Sequence, residues 1–123
     1  MSYLTDRKRT DGLGAARSGT GHHLNMQVSA VALAILMPLF IVTFGRILGG
    51  SHAEVAAHFA RPYPAIVTGL TLVVGFTHFK NGARIMIEDY WQGGTRMALI
   101  IGVTFLSYAA MATGLFALIR LAL

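Results

Sequence analysis

The stretch "THFKNGARIMIEDYW", residues 77–91, sets His78, Lys80, Asn81, Arg84, Glu88, Asp89 and Tyr90 at the end of an uncharged run. If one helix carries the whole stretch, His78 and Asp89 are close to three whole turns apart. They then share a face, separated by about 16 Å along the axis. Gly82 lies between them on the same stripe, one turn from His78. It removes a side chain there and leaves room for a flat, bulky group against the backbone.

An ionisable residue inside a membrane span is costly to keep and is a functional candidate by default. A neutral imidazole ligates haem iron through one nitrogen. The competing reading is a histidine hydrogen-bonded between packed helices, and the residues alone leave both open. The chain has no cysteine. That excludes disulfides, thiolate metal sites, iron–sulfur ligation and thiol catalysis by this chain, and leaves haem as the leading metal centre. At the far end of the stretch, a phenol beside a carboxylate donates a hydrogen bond to a carbonyl and relays a proton. Tyr90 and Asp89 therefore suit a quinone head group arriving from lipid. An aromatic belt at the membrane surface is the competing reading for Tyr90 and Trp91. Glu88 reads as solvated.

The elements that must position these groups are membrane helices. The chain has 123 residues, 54% hydrophobic and 12% charged, with a mean hydropathy of +0.60. A soluble domain carries about twice that charge fraction. Three apolar runs stand out: Val28–Gly45, Tyr63–Phe79 and Met97–Ile119. Spans are expected over about residues 25–47, 62–88 and 95–120, the second continuing through the polar cluster. Pro38 inside the first is tolerated in a membrane helix. The expected fold is all-α: an integral membrane domain of three transmembrane helices at 25–123, preceded by a polar arm at 1–24. The segment "SHAEVAAHFARPYP", residues 51–64, reads as a short interfacial helix ending before Pro62, with His52 and His58 solvated and off the spacing of a helical metal pair.

The net charge of +5 does not form a nucleic-acid patch, because the basic residues are scattered around apolar spans. They act as topology signals. Arg7, Lys8, Arg9 and Arg17 in the arm and Lys80, Arg84 and Arg96 after the second run make seven on one side. Arg46, Arg61 and Arg120 make three on the other. Positive charge stays inside, so the N-terminus and the polar cluster are expected in the cytoplasm and Leu123 outside. The first run is too long, and too far from the N-terminus, for a cleavable signal peptide.

The pattern H-x3-G-x6-D-Y, formed by His78, Gly82, Asp89 and Tyr90, resembles the second-helix signature of the hydrophobic membrane-anchor subunits of succinate dehydrogenase, respiratory complex II. The three-span architecture, the short polar arm and the length agree with that family. The resemblance implies that His78 is an axial ligand of a haem b shared with a second membrane subunit. It implies that Tyr90 hydrogen-bonds ubiquinone, that Asp89 orders the same site, and that Gly82 is the small residue against the haem. "RSGTGHH", Arg17–His23, is similar to the family's approach to the first helix, where a histidine nears a haem propionate; His22 and His23 are both candidates. One departure is "LNMQVSA", residues 24–30, which lacks the arginine that pairs with a propionate in some bacterial members. Lys80, Arg84 or the partner subunit would then neutralise the haem.

Further implications are a second membrane cytochrome b subunit, an iron–sulfur subunit and a flavoprotein subunit as partners, with the chain part of a heteromeric helix bundle in a bacterial inner membrane. Electrons from succinate oxidation would pass to ubiquinone, and the chain alone would have no activity. The alternative from another class is a small structural or transport-associated membrane protein without a redox cofactor. Lys80 and Arg84 would then bind anionic head groups.

Overall fold

The computed structural model describes residues 5–13 and 19–123; the side chains of residues 9 and 11–13 lie outside that description. The described residues form five helices: α1 (Asp6–Leu13), α2 (Gly19–Gly45), α3 (His52–Phe59), α4 (Pro62–Tyr90) and α5 (Gly93–Ala122). α2, α4 and α5 have 27, 29 and 30 residues. At 1.5 Å per residue each is about 40–45 Å long, enough to cross a bilayer. On apolarity, α2 and α5 qualify singly, and α4 qualifies together with α3, from which it is bent by 86°. A chain in lipid must satisfy its own backbone groups, and helices do so within one segment. The fold is that of a helical, multi-pass membrane protein.

α4 is the middle of the layer. It packs against α2 on one side and α5 on the other, and among the described residues α2 and α5 do not touch. Very little apolar surface is enclosed: among the described residues the buried large hydrophobic side chains are Phe59, Val67, Ile87 and Leu118. In water such a core would not offset the conformational entropy of folding a chain this size. Here the exposed Leu, Ile, Val and Phe side chains face lipid or other helices.

Close packing falls to small residues, as expected where lipid supplies no hydrophobic drive between helices. A Cβ on Gly114 would sit 3.2 Å from a Leu72 methyl, and one on Gly69 would sit 3.5 Å from Leu118. Ser107 is 2% exposed, and its hydroxyl donates to the Val103 carbonyl at 2.7 Å. Thr71 donates likewise to Val67 at 2.7 Å.

Local signals set the ends. Ser51 caps α3, and Glu54 reaches back to the Ser51 N–H at 2.7 Å, completing a capping box. Pro62 opens α4 in the first turn, where its missing N–H costs nothing. Trp91 is extended and ends α4. Gly93 then turns the chain into α5 with φ +60°, a left-handed conformation that favours glycine. Pro38 lies inside α2 without ending it.

Two expectations change. The arm expected at 1–24 is partly helical: α1 is an eight-residue polar helix, with the Thr5 hydroxyl accepting from the Lys8 N–H, and α2 starts at Gly19. The first span's helix therefore reaches six residues further back than expected and includes His22 and His23. Arg17, which opens the arm motif, lies outside the described residues. The interfacial helix is found as α3, but His58 is not a solvated loop residue. It is half-buried, edge-on to Phe59 at 5.3 Å between ring centroids, with Nε2 enclosed and unpartnered.

Candidate functional site

α4 runs unbroken from Pro62 to Tyr90, so His78, Gly82 and Asp89 lie on one helical stripe. His78 sits where this stripe meets α2. Its Nδ1 lies 2.8 Å from the Ser29 hydroxyl oxygen of α2. Ser29 is 9% exposed and also lies 2.9 Å from the Met26 carbonyl oxygen. The other ring nitrogen, Nε2, has no hydrogen-bond partner among the described residues. It is also not one of the enclosed, unpartnered side-chain atoms, which among the described residues are His58 Nε2 and Thr68 Oγ1. The ring is thus pinned at one nitrogen and open at the other.

Gly82 faces α2 as well. A Cβ there would lie 3.7 Å from the Met26 methyl, the flexible end of a long side chain. A groove of about 550 Å³ runs between α2 and α4, lined in part by His22, Asn25, Ser29, Thr77, Lys80 and Asn81. This separates the two histidines of the arm motif. His22 lines the groove, whereas His23 is exposed and 3.5 Å from the Gln27 amide.

The cations expected to act together divide. Lys80 donates to the Tyr108 hydroxyl at 3.1 Å, with its ammonium 5.0 Å from that ring's centroid. Arg84 is paired with Glu88 at 2.9 Å, and Arg96 of α5 reaches the same carboxylate at 3.5 Å. Glu88 is therefore not simply solvated; it bridges the α4–α5 turn. Arg96 follows the turn closely, which was the available signal, but its pairing depends on how tightly the two helices fold back. Beyond this bridge, Asp89 and Tyr90 are exposed and have no polar partner among the described residues. The Tyr90 ring meets Trp91 edge-on at 6.1 Å between centroids.

No group of three or more histidine, cysteine or acidic side chains that could hold a metal ion occurs among the described residues. A site built from this chain's side chains alone is therefore not present there. A haem needs only an axial ligand from any one chain, since the porphyrin supplies the rest. A single histidine with one pinned and one open nitrogen fits that demand.

The family model for succinate dehydrogenase/fumarate reductase transmembrane subunits matches residues 1–113. The chain belongs to this family. The "succinate dehydrogenase hydrophobic membrane anchor subunit" of Paracoccus denitrificans is 49% identical over 123 residues, covering all of this chain and 95% of that relative. No solved structure matches. Family membership makes the chain a membrane anchor subunit of succinate dehydrogenase that associates with the membrane and with other subunits of the enzyme. It sets aside the transport-associated alternative.

Proposed function

We propose that this anchor subunit contributes one axial ligand to haem b through His78 and part of a ubiquinone site through Tyr90 and Asp89. The observation that carries the reading is one unbroken helix. It carries His78, with a ring nitrogen open, on the same stripe as Asp89, at whose end the Tyr90 hydroxyl has no partner among the described residues. The second axial ligand would come from the second membrane subunit. Gly82 keeps the stripe below His78 clear of all but a movable methionine. His22, which lines the groove between α2 and α4, is the donor assigned to a propionate. Lys80, engaged by Tyr108, and Arg84, engaged by Glu88, are not.

Haem held by His78 would supply a one-electron centre. Tyr90 would donate a hydrogen bond to a ubiquinone carbonyl, and Asp89 would order the donors around it. Succinate oxidation would take place on the flavoprotein subunit, with electrons crossing an iron–sulfur subunit. The open layer supports assembly with partner helices, because α2 and α5 pack on α4 without closing on each other. The seven-to-three basic asymmetry supports a bacterial inner membrane topology with the N-terminus in the cytoplasm.

The test is the complex purified from its native membrane. His78→Ala should lose the b-type spectrum or change its axial ligation. His52→Ala and His58→Ala should keep it. A wild-type spectrum and haem potential in assembled His78→Ala would refute the ligand role.

A further inference from the structure

Ser29 and His78 are 49 residues apart in sequence and join α2 to α4. The serine oxygen has two polar neighbours, the Met26 carbonyl at 2.9 Å and His78 Nδ1 at 2.8 Å. A hydroxyl has one hydrogen to give. A carbonyl only accepts, so the contact with Met26 is a hydrogen bond only if the serine donates to it. The contact with the ring is then a hydrogen bond only if Nδ1–H donates to the serine oxygen. Satisfying both contacts places the proton on Nδ1 and leaves the lone pair on Nε2. The reverse assignment gives up the Met26 bond and makes Nε2 a donor, which cannot ligate a metal. The buried position of Ser29 favours the fully bonded arrangement, since an unmade hydrogen bond there is not replaced by water.

We propose that Ser29 is the positioning residue of the haem ligand: its oxygen accepts from His78 Nδ1–H, fixes the tautomer and ring orientation, and presents Nε2 to the iron. This rests on the haem reading of His78. The acceptor also makes the imidazole a stronger donor to the metal, as acceptors on the far nitrogen of ligating histidines do. Ser29 can do this because its own hydrogen is held by the helix that carries it. Met26 contributes twice, with its carbonyl orienting the hydroxyl and its methyl lying over Gly82.

The experiment uses the whole complex in detergent, with Ser29→Ala, Ser29→Thr and Ser29→Val beside His78→Ala. Threonine and valine have nearly the same shape and differ at the hydroxyl. The readouts are haem retained on challenge with a haem-binding competitor, the haem midpoint potential and the ferric electron paramagnetic resonance. Loss of the acceptor should weaken haem retention about 10- to 100-fold, the usual cost of removing a partner of a metal ligand. It should also favour ferrous over ferric haem, raising the potential; a tenfold change in that preference reads as 59 mV for one electron. Ser29→Ala and Ser29→Val should show both effects and a changed ferric signal, and Ser29→Thr should restore them.

Wild-type retention, potential and signal in Ser29→Ala or Ser29→Val would overturn the proposal while leaving His78 as ligand. A wild-type spectrum in His78→Ala would instead overturn the haem reading beneath it. If Ser29→Ala and Ser29→Val fail to assemble, histidine labelled with ¹⁵N in the wild-type complex decides. Pulsed resonance should find iron on Nε2 and a proton on the remote Nδ1, and iron on Nδ1 would refute the assignment.

Discussion

Replacing Tyr90 with phenylalanine isolates one hydroxyl. Tyr90 is 77% exposed, and its hydroxyl has no partner among the described residues. Removing it costs no hydrogen bond among the described residues. The ring contact with Trp91, at 6.1 Å and 65°, is one that phenylalanine keeps. Tyr90→Phe should therefore leave assembly and stability unchanged. If the hydroxyl donates to ubiquinone, the loss is one hydrogen bond in a partly dry site, about 1–2 kcal/mol. With about 1.36 kcal/mol per tenfold, ubiquinone reduction should fall roughly 5- to 30-fold. A donor that strengthens as the quinone oxygen gains charge acts on turnover as well as on binding. The assay compares two acceptors on the same preparation: ubiquinone, and an artificial dye that takes electrons at the flavoprotein. The dye rate should stay near normal while the ubiquinone rate falls. Asp89→Asn should show the same split, more mildly. Unchanged ubiquinone turnover in Tyr90→Phe would make the tyrosine a belt residue and refute the site assignment.

Reporter fusions at Gly93 and Leu123 should give opposite signals, cytoplasmic and external; the same signal at both would refute three crossings. Gly114→Ala should be tolerated, because the Leu72 methyl at 3.2 Å need move only a few tenths of an ångström. Gly114→Leu should overpack the α4–α5 seam and cost about 1–3 kcal/mol, read as a lower unfolding temperature of the complex. Glu54 is held below its ordinary carboxylate range by hydrogen bonds from the Ser51 N–H and hydroxyl. A depressed carboxyl stabilises above its unfolded value and loses that contribution as pH falls through its folded value. The protection of the Val55 and Ala56 amides, measured against their intrinsic exchange rates at each pH, should thus fall on acidification through the carboxylate range, and less so in Glu54→Gln.

The sequence determined that this chain is a bundle of membrane helices and where most of them start and stop. Long uncharged runs leave no other way to satisfy the backbone in lipid, and Ser51, Pro62 and Gly93 act locally on the elements they bound. It also determined the stripe of His78, Gly82 and Asp89, because spacing along one unbroken helix is set by its repeat alone. The tertiary structure decided which side chains meet across helices. α2 and α5 are apolar nearly all round, so no polar face in their sequence says which side turns inward. Register and rotation decide instead, and they bring Ser29 to His78, Lys80 to Tyr108, and His22 rather than His23 to the shared groove. The same holds for His58, which a polar-looking segment concealed, and for Glu88, whose second arginine comes from the next helix. A hydrogen bond between residues 49 apart depends on ångström-scale placement of two helices, and that placement comes from small residues packed along α4 rather than from any local sequence signal.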